Sequence, residues 1–163
     1  MIVVADTSAI SNLMAIGREE ILRDLFGQVL VPPAVERELL DWHRNLPAFV
    51  VVEQPCDMEA ISRLSLILDP GESEAIALAI QVRADLLLID ERKGRSAADG
   101  LGLKTTGLLG VLLEAKAVGL LEKLEPLLDD LISTAEFHVS AKVMAECLRL
   151  AGEDGTRRDA GEA

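Results

Sequence analysis

The run Leu86-Leu87-Leu88-Ile89 does most to limit what this chain can become. Four successive apolar residues leave no polar face to turn to water. A strand in a one-sided antiparallel sheet alternates apolar with polar, whereas a strand buried on both faces is apolar throughout, as in parallel sheets. The run is far too short for the roughly 20 residues of a membrane span. Shorter runs of the same character occur at Ile2-Val3-Val4-Ala5, Gln28-Val29-Leu30-Val31 and Phe49-Val50-Val51-Val52, and Lys104-Thr105-Thr106 supplies a last short one. Helical patterns separate them, and strands alternating with helices specify an α/β domain with a mostly parallel central sheet of 4–5 strands.

The intervening segments read as helices with ordinary boundaries. Residues 9–26 form two short helices broken at Gly17, and Pro32-Pro33 opens a helix from Ala34 to Trp42, because proline suits the first turn. The apolar positions of that helix are Val35, Leu39 and Trp42. Asp57 to Leu68 is helical in pattern. Asp69-Pro70-Gly71-Glu72-Ser73-Glu74 then leads into Ala75-Ile76-Ala77-Leu78-Ala79-Ile80, apolar nearly all round and therefore deeply buried. Further helices are expected at 93–99, 107–118, 121–132 and 140–150. Phe49–Val52 should be an edge strand and Leu86–Ile89 a central one. One domain is expected over residues 1–150, followed by a polar, glycine-containing tail over 151–163 of disordered character.

Composition narrows the function. The chain has 163 residues, half of them apolar, enough for one core. No basic stretch precedes the apolar start, so no secretory signal is read there and a cytoplasmic location is expected. Cys56 and Cys147 match no metal or redox spacing and read as core thiols in a reducing compartment. The net charge of −12 argues against a protein that coats nucleic acid with a broad basic face. Aromatics make up 2% with no tyrosine, so platforms for stacking single-stranded bases are nearly absent.

Carboxylates recur where strands end and helices begin. Asp6 and Asp90 each terminate an apolar strand, and Glu72 and Glu74 open the buried helix. Ligands of open α/β sheets bind at that edge, so three acidic places converge by topology; Glu38 lies on a helix and its convergence is an assumption. Each acid also has a plainer role: Asp6 or Ser8 as a helix cap, Asp69 with Glu72 as a capping box, Glu38 on a solvated face, Glu91 exposed. Clustered carboxylates raise one another's pKa and call for a compensating cation. Hard divalent ions such as Mg²⁺ prefer oxygen ligands and take one or two carboxylates besides waters. His43 and His138 are isolated, which disfavours zinc. Arg92, Lys93 and Arg95 form the one compact basic run beside an acid and could hold phosphate at a helix start.

Taken together, the strand-Asp-Thr-Ser start, the Val-Glu-Arg-Glu-Leu segment, the Gly-Glu-Ser-Glu-Ala-Ile-Ala-Leu-Ala helix and the Leu-Leu-Leu-Ile-Asp-Glu-Arg-Lys-Gly-Arg strand end resemble the PIN domain over residues 1–150. The Thr-Gly-Leu-Leu-Gly-Val-Leu-Leu-Glu-Ala-Lys stretch resembles a prokaryotic subgroup of PIN-like proteins. The resemblance implies an α/β/α sandwich and a Mg²⁺- or Mn²⁺-dependent ribonuclease, commonly the toxin of a toxin–antitoxin pair. It places the family's acids on Asp6, Glu38, Glu72 and Asp90, with Glu74 as the alternative third acid and Ser8 as the accompanying hydroxyl. Ser8, Asn12, Arg92, Lys93 and Arg95 are then candidate substrate contacts. An RNA substrate, a small antitoxin protein and a homodimer are the implied partners, with no membrane. Two other readings stay open: a catalytically silent PIN-like module that binds protein partners, and a receiver-like or phosphatase-like α/β protein.

Overall fold

The computed structural model describes residues 1–135 and 137–153. Five strands build one sheet: β1 (Val3–Ala5), β2 (Val29–Val31), β3 (Val50–Val52), β4 (Leu86–Leu88) and β5 (Thr105–Thr106). Every pairing among them is parallel, in the order β3-β2-β1-β4-β5. The helices are α1 (Thr7–Ala15), α2 (Glu20–Phe26), α3 (Pro33–Trp42), α4 (Met58–Leu64), α5 (Pro70–Gln81), α6 (Arg92–Gly100), α7 (Leu108–Ala117), α8 (Glu125–Thr134) and α9 (Ala141–Leu150). This is the α/β/α sandwich expected from the sequence.

The Leu86–Ile89 run shows why the sheet needs two covers. Leu86 and Leu88 point into one core, with Val3, Ala5, Val29 and Val31, against α1, α2, α7, α8 and α9. Leu87 and Ile89 point into the other, with Val4, against Ile76, Leu78 and Ala79 of α5 and Ala98 of α6. Successive side chains of a strand face opposite ways, so both sets are buried only because helices lie on both sides. Both layers have a fully buried core: Ile10, Leu13, Leu22 and Leu39 on one side and Ile76 and Leu78 on the other.

Strand order also locates the site. The chain adds β2 and β3 to one side of β1, then returns to place β4 on the other side. The sheet therefore reverses its winding between β1 and β4, which is where open α/β sheets bind ligands. Ala5 lies in register with Leu88. The Asp6 N–H extends the ladder by donating to the Leu88 carbonyl at 2.9 Å. The acids following β1 and β4 thus emerge side by side from the switch point.

Several local expectations are corrected. Helix α8 starts at Glu125, not 121, because Leu121 and Leu124 fill the core from an irregular segment and Pro126 fits only a helix start. Helix α4 ends at Leu64, four residues early, and Leu66 and Ile67 are exposed. Trp42 shares helical spacing with buried Val35 and Leu39, yet it is 82% exposed, because no element among the described residues covers the last turn of α3. Cys56 is an exposed thiol, whereas Cys147 is buried as expected. Leu86–Leu88 is interior, but β1 holds the middle position.

Packed structure continues past residue 150. Glu153 is buried and accepts from Lys116 Nζ at 2.9 Å and from the N–H groups of Leu124 at 2.8 Å and Glu125 at 3.3 Å. The remainder of the expected tail, 154–163, lies outside the described residues. No helix among the described residues is long and apolar enough to cross a membrane.

Candidate metal centre

Asp6 occupies the N-cap position of α1 but makes no side-chain cap bond. The capping role open to it in the sequence is thus not the one it plays. Its carboxyl is 5% exposed, and its pKa is pushed up to about 7. Burial is the largest cause; the charges of Asp69, Glu72 and Glu38 add to it, and the Thr7 N–H opposes them. That balance shows which acids share its surroundings.

Glu72 does two things at once. The Asp69–Glu72 capping box forms, with the Glu72 N–H donating to Asp69 Oδ1 at 2.8 Å and the Asp69 N–H donating to Glu72 Oε2 at 3.3 Å. The same side chain is buried with its pKa raised, first by burial and then by Asp69, with smaller contributions from Glu91 and Glu38. Glu38 is brought in from α3, where it accepts a short hydrogen bond from Thr7 Oγ1. Helix α5 comes close enough that a methyl group on Gly71 would lie 2.7 Å from Glu38 Oε1 and 2.8 Å from Oε2. A glycine in the first turn of α5 thus makes room for the Glu38 carboxylate.

Asp90 follows β4. Its Oδ1 accepts from the Leu108 N–H at the start of α7 at 3.0 Å, and its Oδ2 is buried without a partner. Burial raises its pKa; the Leu108 N–H and the Arg95 charge pull the other way. Glu74 is directed elsewhere: it pairs with Arg37 across α3 and α5, with Nη2 and Oε2 3.7 Å apart. It is not among the charges that act on Asp6. The charges that act on Asp6 thus come from Glu38, Asp69 and Glu72; Asp90 follows the neighbouring strand β4 and, like Glu74, is not among them.

Compared with known families, the family model described as PIN domain matches residues 2–153. The chain belongs to the PIN domain family. A search of curated proteins found no match. PIN domains are typically nucleases and generally use divalent metal ions.

Do the residues of this PIN domain suit such an ion? Among the described residues no three acidic, histidine or cysteine side chains stand as a ligand array. The donor set consists of oxygens, Asp90 Oδ2 is an orphaned buried acceptor, and Asp6 is desolvated among like charges. Both conditions are relieved by a cation. A hard divalent ion that binds through one or two carboxylates and keeps its remaining waters needs no closed cage. By donor chemistry and position at the ends of adjacent strands, Asp6 and Asp90 suit such an ion, and Glu72 and Glu38 are among the charges acting on Asp6.

Two cavities open on the edge. One, of about 500 Å³, is lined by Ser8, Asn12, Asp90, Glu91, Arg95 and His138 among others. The second, of about 610 Å³, is lined by Thr7, Ser8, Ser11, Asn12, Trp42 and His43 among others. Ser8 and Asn12, on α1, belong to both. Of the basic run, Arg95 faces Asp90; Arg92 and Arg95 line a shallower depression with Asp90. Lys93 is exposed. Sequence reasoning passed over Thr7, Asp69 and Gly71 as site residues and treated His43 as isolated. Thr7 had a signal, since it lies between Asp6 and Ser8. His43 had none, because its approach to Ser11 depends on how α3 packs on α1.

Proposed function

We propose that this PIN domain is a metal-dependent endoribonuclease, with Asp6, Glu38, Glu72 and Asp90 as its acidic centre and Mg²⁺ or Mn²⁺ as its cofactor. The observation that carries the reading is that Asp6, desolvated, and Asp90, with a partnerless Oδ2, follow the adjacent parallel strands β1 and β4 at the switch point. Two buried carboxyls with no nearby cation to neutralise both are costly to the fold. Such an arrangement is retained where a bound cation restores the balance. A divalent ion held there supplies activation of water and charge stabilisation of a phosphodiester under in-line attack.

The chain's own residues supply the rest. Thr7 fixes the Glu38 carboxylate by donating to it. The capping box holds the Glu72 side chain at the start of α5. The Leu108 N–H takes one oxygen of Asp90 and leaves the other without a partner. Arg95 offers the nearest positive charge for a substrate phosphate, and Ser8 and Asn12 offer hydrogen bonds from α1. RNA is proposed as the substrate, a small antitoxin as the inhibitor and a homodimer as the assembly, on the strength of the family resemblance. The competing reading, a silent PIN domain that only binds protein partners, draws on the lack of a three-ligand array among the described residues.

One experiment separates the two. Purified wild type and Asp6→Asn are incubated with a mixed RNA pool in Mg²⁺, in Mn²⁺ and in chelator. The expected result is cleavage that needs metal and falls at least 100-fold in the variant, a loss typical of removing one electrostatic element of a site. Equal cleavage by the variant, or none by either protein, would falsify the nuclease reading.

A further inference from the structure

The second cavity holds a feature that the acidic centre does not use. Trp42 ends α3 and is 82% exposed. It is the only tryptophan, and the three phenylalanines, Phe26, Phe49 and Phe137, are all packed against the core. An indole left in water forgoes the large stabilisation that burying an aromatic gives. Trp42 lies four residues after Glu38, so the two share a helix face one turn apart. Next to it, His43 Nε2 and Ser11 Oγ are 2.8 Å apart, which ties the end of α3 to α1. The cavity between them runs from Trp42 and His43 to Thr7 and Ser8, the two residues directly after Asp6.

We propose that this cavity is a nucleotide subsite, in which Trp42 stacks on a base of single-stranded RNA next to the phosphate held at the acidic centre. The inference rests on the ribonuclease reading and adds to it a contact between Trp42 and one base beside the acidic centre. The lining mixes one aromatic with several polar side chains, which suits a nucleotide. Beside Trp42 the wall carries the hydroxyl-bearing Thr7, Ser8 and Ser11, the Asn12 amide and the His43 imidazole, with Ala15 and Ala135 as its apolar part. A base needs a π-face and edge or backbone hydrogen bonds, and this wall offers both. The volume of about 610 Å³ is ample for one nucleoside. Arg44, exposed two residues beyond Trp42, adds a positive charge at that end.

The sole tryptophan makes the subsite directly observable. The wild-type protein, with Ca²⁺ in place of Mg²⁺ to slow hydrolysis, is titrated with a short single-stranded RNA of mixed sequence while indole emission is followed. Binding should quench that emission. Trp42→Ala should weaken binding roughly 10- to 100-fold, the range for loss of one stacked base, and Trp42→Phe should recover most of it. In Mg²⁺, Trp42→Ala should raise KM by a similar factor and leave kcat within about twofold, with an unchanged melting temperature. An RNA with an abasic residue at the stacked position should bind wild type and Trp42→Ala equally. RNA bound equally well by wild type and Trp42→Ala overturns the subsite and leaves the nuclease reading standing. Emission that shifts with protein concentration alone, together with a doubled mass, overturns it in favour of a second copy covering the indole. Failure of wild type to bind RNA at all takes down both readings.

Discussion

Asp6 is the residue on which the proposed chemistry turns, and its burial has a thermodynamic consequence that needs no substrate. Its folded pKa of about 7 lies above the ordinary carboxyl value of 3.8 expected of an unfolded chain. Between those values the folded protein holds a proton that the unfolded chain has lost, so stability falls as pH rises through the window. Below it both states are protonated and Asp6 has no such effect; above it the full penalty is present, on the order of 4 kcal/mol. The raised pKa values of Glu72 and Asp90 act in the same direction. Asp6→Asn should therefore stabilise the protein in chelator at pH 8 and not at pH 4. Urea unfolding of both proteins across that range measures the gap, and parallel pH profiles would show that Asp6 is not desolvated in solution.

At the scale of elements, α5 and α3 are set against each other by a space the size of a methyl group. Gly71 sits in the first turn of α5, where nothing in its backbone demands glycine. The need is steric: a Cβ there would press on both oxygens of Glu38. Gly71→Ala should leave the fold intact, since alanine favours helix by up to about 1 kcal/mol and the carboxylate is a movable side-chain end. Turning aside, Glu38 would lose its bond to Thr7 and its place near Asp6. Cleavage should fall about tenfold or more at an undiminished melting temperature. Activity and melting temperature falling together would mean that the helix contact, not the carboxylate, was disturbed.

Across the whole molecule, the switch point of the sheet gathers negative charge in a chain already at −12. A cation that binds the folded protein alone should stabilise it by about 2.7 kcal/mol at 100 times its Kd. For a chain of this size that is a rise of roughly 5–10 °C in melting temperature. Because ligation needs Asp6 ionised, the rise should be larger at pH 8 than at pH 6. Calorimetric scans with and without Mg²⁺ at both pH values test this, and Asp6→Asn should show little response at either. A pH-independent rise would indicate binding to surface carboxylates instead.

The sequence by itself determined the order of elements and the parallel sheet, because strand and helix periodicity are local and the uniformly apolar Leu86–Ile89 run admits only a two-sided cover. It determined also that Asp6 and Asp90 share an edge, since strand ends of a parallel sheet lie together. Tertiary structure alone decided the rest. Glu72 and Glu74 are two residues apart, and only the packing of α3 on α5 gives Glu74 to Arg37 and leaves Glu72 among the acids. Trp42 has the spacing of a core residue, and only the packing around the last turn of α3, which no other described element covers, leaves it exposed. Helical spacing tells which face a side chain is on; what stands opposite that face is set by residues far away in the chain.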